Sequence, residues 1–142
     1  LNKLAVNKVA ILIGIVIIGL LIYKQFDERT EPQLSQEGSP QIAIENAVEN
    51  NKPMWLMFTS DRCPACIEMY DVYEQVKNEY KEDVAFILID VDNEENYELA
   101  RDFDIRYIPA IFILDSQGEK LYEQVGYIPV EEMRLQLDKV VE

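Results

Sequence analysis

The stretch Met54-Trp55-Leu56-Met57-Phe58-Thr59-Ser60-Asp61-Arg62-Cys63-Pro64-Ala65-Cys66 runs from five consecutive apolar side chains into a pair of cysteines. Met54 to Phe58 has the length and continuity of a strand buried on both faces. Thr59 to Arg62 breaks that run as a polar loop. Pro64 suits the first turn of a helix, where its missing N–H would have had no intrahelical partner. Beyond it Met69, Tyr70, Tyr73, Val76 and Tyr80 recur at spacings of three and four, which predicts a helix running on towards Tyr80. The cysteines therefore stand where a buried strand hands over to a helix.

That position suits sulfur chemistry. A thiol at a helix N-terminus meets unpaired N–H groups and the positive end of the helix dipole, and both favour the thiolate. Lowering a thiol pKa from about 8.5 to about 7 raises the thiolate fraction at pH 7 from roughly 3% to about half. Pro64 helps by opening the helix there, and Arg62 adds a neighbouring cation, while Asp61 works against it. Cys66, three residues on, returns to the same helical face and can attack a mixed disulfide formed through Cys63. Cys63 is thus the candidate nucleophile and Cys66 the candidate resolving thiol.

Competing uses of the pair are few. A zinc site would need two further soft ligands, but the chain holds two cysteines and no histidine. No metal is expected, and neither a Ser–His–Asp nor a Cys–His arrangement can be built. A purely structural disulfide would close too short a loop to stabilise a domain much. The alternative kept open is a non-catalytic binding or chaperone-like module with an idle disulfide.

Outward from this centre the pattern alternates. Upstream, Ser39-Pro40 signals a helix start, with Ile42, Ala43, Ala47 and Val48 as its apolar face. Downstream, Val84 to Ile89 reads as a central strand, and Asn93 as the cap of a helix from Glu94 to Phe103. Ala110 to Leu114 is another buried strand, Ser116-Gln117-Gly118 a turn, and Lys120 to Val125 a half-buried strand. Pro129 opens a last helix with Met133, Leu135, Leu137 and Val140/Val141. The order α-β-α-β-α-β-β-α predicts one α/β domain with helices on both faces, parallel strands early and an antiparallel edge from the late hairpin. Asp90 to Glu94 superficially resembles a calcium loop, but Glu95 and Arg101 stand where that loop needs glycine and glutamate.

The N-terminus belongs to another regime. Val9 to Tyr23 is fifteen residues without a charge, roughly 22 Å of helix against a hydrocarbon core of about 30 Å. Lys8 and Lys24 can snorkel to the two interfaces and extend the reach to Leu4–Phe26. No small-residue cleavage site follows. Residues 1–26 are therefore expected to be a membrane anchor, or an uncleaved signal, residues 27–38 a polar tether, and residues 39–142 the folded domain. Lys3 and Lys8 precede the apolar run, so the positive-inside tendency sends the domain across the membrane. The expected location is a single-pass cell-membrane protein with its C-terminal domain extracytoplasmic.

The net charge is −14. Residues 1–31 carry four Lys/Arg against three Asp/Glu, so the remainder holds nine against 24, a net −15. A domain this acidic repels phosphate backbones, and nucleic acid is not an expected partner.

Taken together, Met54–Phe58 leading into Cys63-Pro64-Ala65-Cys66, then Val84–Asp92, Ile105-Arg106-Tyr107-Ile108-Pro109-Ala110, the Gly118 turn and Val125-Gly126 resemble the thioredoxin family, from about Ser39 to the C-terminus. The resemblance implies a thioredoxin-like three-layer α/β/α domain with a mixed central sheet, preceded here by the N-terminal transmembrane helix. It implies a thiol–disulfide oxidoreductase in which Pro109 is cis and lies against the cysteines, with Ile108 offering backbone to an extended substrate. No dissociable cofactor is implied beyond a redox-active disulfide Cys63–Cys66. The implied partners are protein thiols and disulfides and a redox partner protein, met by a monomer. Ile108 before Pro109 leans the direction towards reduction. Three departures mark a specialised member: Arg62 replaces a tryptophan before the first cysteine, Met57 replaces a buried acid, and Asp71 replaces a helix-kinking proline.

Overall fold

The computed structural model describes residues 38–141. The expected anchor (1–26) and all of the expected tether except Gly38 lie outside them. Among the described residues no helix is long and apolar enough to cross a membrane.

The elements are α1 (Pro40–Glu49), β1 (Met54–Thr59), α2 (Pro64–Tyr80), β2 (Ala85–Asp90), a 3₁₀ turn (Glu94–Asn96), α3 (Tyr97–Asp102), β3 (Ala110–Leu114), β4 (Lys120–Val125) and α4 (Val130–Val141). The strands form one mixed sheet in the order β2-β1-β3-β4. β1 and β2 are parallel, as the α2 crossover requires. β3 runs antiparallel to β1, with Phe58 opposite Ala110, and β4 is antiparallel to β3. The antiparallel relation therefore reaches the sheet's interior rather than only its hairpin edge.

Strand periodicity divides the core in two, because successive side chains point to opposite faces. Trp55, Met57, Phe86, Leu88, Ile111 and Ile113 face one way and meet α2 and α4 through Met69, Tyr73, Val76, Met133 and Leu137. Met54, Leu56, Phe58, Ile87, Ile89 and Phe112 face the other way and meet Ala47 of α1 and Leu99 of α3. Trp55, fully buried, donates its indole N–H to Met133 Sδ at 3.1 Å. The far end of α2 is fastened to α4. Arg134 forks onto Glu79 (Nε–Oε2 2.8 Å, Nη2–Oε1 2.5 Å), and the Tyr80 hydroxyl donates to Asp138 Oδ1 at 2.6 Å.

Several local expectations are corrected. The expected helix Glu94–Phe103 opens as a 3₁₀ turn, since Asn93 Oδ1 accepts the Glu95 N–H and tightens the first turn. Ser39 holds the N-cap position, but its hydroxyl bonds Gln41 Oε1 instead of the helix N–H groups. Ile42 and Val48 are exposed, and α1 buries Ala47, with Ala43 and Ile44 half-buried against the same core. In β4 only Tyr122 is half-buried, because this edge strand has no helix over most of its length. In α4 Leu135 points to solvent while Met133 and Leu137 are buried, as spacing by four dictates.

Candidate active site

β1 delivers the chain to the carboxyl end of the sheet, the side where open α/β sheets place their sites. Cys63 is the N-cap of α2, with extended backbone (φ −102°, ψ 109°), and its Sγ accepts the Cys66 N–H at 3.2 Å. The Cys63 carbonyl takes the Cys66 and Ile67 N–H groups at 3.1 and 3.2 Å. The first turn of the helix is thus wrapped around Cys63. The two cysteines are joined as a disulfide with Cα atoms 5.2 Å apart. Their exposures differ: Cys63 is half-buried and Cys66 fully buried. A partner can reach the first sulfur and not the second.

Antiparallel pairing of β3 with β1 explains what lies opposite. With Ala110 level with Phe58, the preceding residues fall beside the loop that leads to Cys63. The Ile108–Pro109 bond is cis, and Pro109 is buried. The Ile108 carbonyl lies 3.8 Å from Cys63 Sγ, where a reduced thiol could donate to it. The Pro109 carbonyl accepts the Gly126 N–H at 2.8 Å, and Gly126 holds φ +93°, a conformation that glycine adopts without a Cβ penalty. Among the described residues the Ile108 N–H makes no hydrogen bond. The Ile108 carbonyl therefore stands beside Cys63, with Pro109 joined to it through the cis bond.

Arg62 is placed otherwise engaged. Its guanidinium forks onto Asp92 (Nη2–Oδ1 2.6 Å, Nε–Oδ2 3.2 Å) while remaining 81% exposed. The buried Ser60 hydroxyl donates to Asp92 Oδ2 at 2.6 Å and accepts the Arg62 N–H at 3.1 Å. Hydrogen bonds from Arg62 first, and from Ser60 second, hold the Asp92 carboxyl below its ordinary range. Pro64 is exposed and occupies the first helical turn. Nothing in the local sequence marks Ser60 and Asp92 as part of the site. The signal for them was a lone arginine beside a thiol, in need of a counter-charge from a neighbouring loop.

Beneath the cysteines the site is apolar. Met57 is fully buried within the core, so β1 supplies no carboxylate at that level. The polar atoms there are neutral: Thr59 Oγ1 and the Tyr70 hydroxyl pair at 3.3 Å, with Tyr70 one helical turn beyond Cys66. Burial pushes the Tyr70 phenol up, and its hydrogen bond with Thr59 pulls the other way. Among the described residues, no group of three or more His, Cys, Asp or Glu is placed to hold a metal ion.

A mixed sheet between helical layers, a disulfide at the head of α2 and a cis-proline facing it define a thioredoxin-like protein. Residues 40–141 match the model of the thioredoxin-like domain, and the chain belongs to that family. It is 28% identical to the thiol:disulfide interchange protein TxlA of Synechococcus elongatus, over 77% of this chain and 56% of that one. It is 31% identical to the chloroplastic thioredoxin-like protein HCF164 of Oryza sativa subsp. japonica, over 99% of this chain and 52% of that one. The chain thus spans about half the length of these relatives. Among solved structures, a mutant thioredoxin from Halobacterium salinarum is 25% identical with a TM-score of 0.63, covering 74% of this chain and 87% of that one. The Deadhead thioredoxin of Drosophila melanogaster gives 26% and 0.61, covering 71% and 90%.

Proposed function

We propose that the protein exchanges disulfides with protein partners outside a membrane to which residues 1–26 tether it, and that its working direction is reduction. The carrying observation is the asymmetry of the pair: a reachable Cys63 Sγ that accepts a helix N–H, and a fully buried Cys66. The reduced Cys63 thiolate attacks a partner disulfide, forming a mixed disulfide and releasing one partner thiolate. Cys66, as its thiolate, then attacks Cys63 Sγ and releases the second partner thiol, leaving the protein oxidised. A separate dithiol protein restores it, so no dissociable cofactor is needed. The head of α2 and the Ile108 backbone serve this chemistry in a monomer. The Cys63 thiolate, favoured by the N–H groups at the head of a helix that Pro64 opens, is the attacking species, and Arg62 acts on it through the share of its charge that Asp92 leaves. Support for the location comes from the charge order around the apolar run, Lys3 and Lys8 before it and a mixed-sign segment after it.

The test is Cys66→Ser. It should accumulate partners covalently held on Cys63 and released by reductant, while Cys63→Ser accumulates none. An idle binding module would trap nothing in either variant, and that result would remove the exchange reading. The reduction potential of the pair checks the direction: a value below about −200 mV fits a reductant, one near about −120 mV an oxidant. Tags at each end of the chain, probed for accessibility in cells, test the topology.

A further inference from the structure

The site has two halves, Cys63 and Cys66 at the head of α2, and Ile108–Pro109 ahead of β3. With the disulfide closed, Cys63 Sγ carries no proton, so the sulfur gives no hydrogen bond to the Ile108 carbonyl. Among the described residues, a single hydrogen bond joins α2 to the chain from Asp104 to Pro129. In it the Ile128 N–H donates to Met69 Sδ at 3.3 Å.

Both ends of that bond are fully buried. A buried N–H left without an acceptor is costly, and here no carbonyl takes it, so the thioether is the group that satisfies it. Leucine would fill much the same space and accept nothing. The bond also continues into the site. Ile128 stands two residues beyond Gly126, whose N–H is taken by the Pro109 carbonyl at 2.8 Å. Pro109 is joined through its cis bond to Ile108, whose carbonyl lies 3.8 Å from Cys63 Sγ. Met69 itself is three residues beyond Cys66, one turn along the same helix. These links close a ring around the mouth of the site, and one sulfur completes it.

We propose that Met69 is a positioning residue for exchange: its thioether ties the segment Gly126–Ile128 to α2 and so fixes the gap between Cys63 and the Ile108 backbone. Its sulfur bonds the loop and neither cysteine. Its influence therefore falls on substrates that use the backbone beside Cys63, and passes over those that present a sulfur alone. The proposal rests on the exchange reading and deepens it by one residue.

The test uses the full chain carrying Met69→Leu, a volume-conserving change of a kind that cores tolerate. Reduced protein is mixed with either of two disulfides. One is a peptide whose single cysteine is bonded to thionitrobenzoate, and the other is dithiobis-nitrobenzoate, which has no peptide backbone. In each, the Cys63 thiolate attacks one sulfur, thionitrobenzoate leaves with the electron pair, and Cys66 then displaces the group held on Cys63. The variant should attack the peptide roughly five- to tenfold more slowly, because small misplacements of a reacting pair are costly. It should attack dithiobis-nitrobenzoate at the parent rate, and its Cys63 thiolate absorbance should follow the parent's pH profile. In the parent protein the Ile128 amide should exchange slowly with deuterium, and faster in the variant. Equal peptide rates in parent and variant would overturn the positioning role and leave exchange standing. Equal slowing with both disulfides would overturn it as well, since packing alone then accounts for Met69. A fast-exchanging Ile128 amide in the parent would do so whether or not the variant folds. No thionitrobenzoate release by the parent from either disulfide would overturn the exchange reading too.

Discussion

The two ends of helix α2 are held by different means. At its head, Cys63 is gripped by backbone N–H groups, and the nearest ion pair, Arg62–Asp92, lies on the surface. At its tail, side chains make the connection: Arg134 forks onto Glu79 and Tyr80 donates to Asp138, both reaching across to α4. Between them Met69, Tyr73 and Val76 are packed into the sheet. The head keeps its backbone groups for sulfur and its surface open to partners, while the tail commits its side chains to anchorage. Reactivity and stability are thereby assigned to opposite ends of one element, and substitutions should separate them.

Met69→Ala strikes the shared middle and should blur the distinction. It removes a fully buried side chain and the sulfur that accepts the Ile128 N–H at 3.3 Å. A loss of about 2–5 kcal/mol is expected in denaturant unfolding. Exchange should slow as well, since Ile128 follows the loop that Gly126 ties to Pro109. An unchanged midpoint would show that the middle of the helix carries little of the packing.

Tyr80→Phe tests the tail alone. It should cost about 0.5–1 kcal/mol at neutral pH, with exchange rates unaltered. The hydrogen bond to Asp138, with burial second, pushes the Tyr80 phenol from 10.0 up to about 12. A raised folded-state pKa means that the stabilisation is fully present below about pH 10 and fades as pH climbs through about 12. The stability difference between the parent protein and the Tyr80→Phe variant should close over that interval in alkaline unfolding curves. A gap that persisted undiminished beyond that interval would refute this origin.

Asp92→Asn tests the head alone and has the smallest expected effect. Removing the anion frees the Arg62 charge to act on Cys63, so the thiol pKa should fall, by less than about one unit because exposed charges interact weakly through water. Thiolate absorbance of the reduced Cys66→Ser background measures it. A rise in that pKa would show that Arg62 does not act on the sulfur.

Much of this is legible in the sequence. Continuous apolar runs located β1, β2 and β3, and the placement of two cysteines between a strand and a helix located the site. Features set by long-range pairing were not legible. Nothing local tells Ala110–Leu114 to run antiparallel beside β1, and only that pairing carries Pro109 to the disulfide. Asp92 lies 30 residues from its arginine, and its nearer neighbours suggested only a loop. The solvent-facing positions of Ile42 and Leu135 likewise depend on where the neighbouring layer ends, which apolar character alone does not encode.

Trp55 is the only tryptophan in the sequence, and it is sealed between the sheet, α2 and α4, with Tyr73 and Phe86 rings 5.5 and 5.6 Å away and Met133 sulfur on its N–H. The molecule therefore carries a single indole reporter in the layer that joins both ends of α2. Its emission should begin short in wavelength and move to the red when that layer opens. Every stability measurement on this chain can then be followed through one native chromophore, without adding a label near the cysteines.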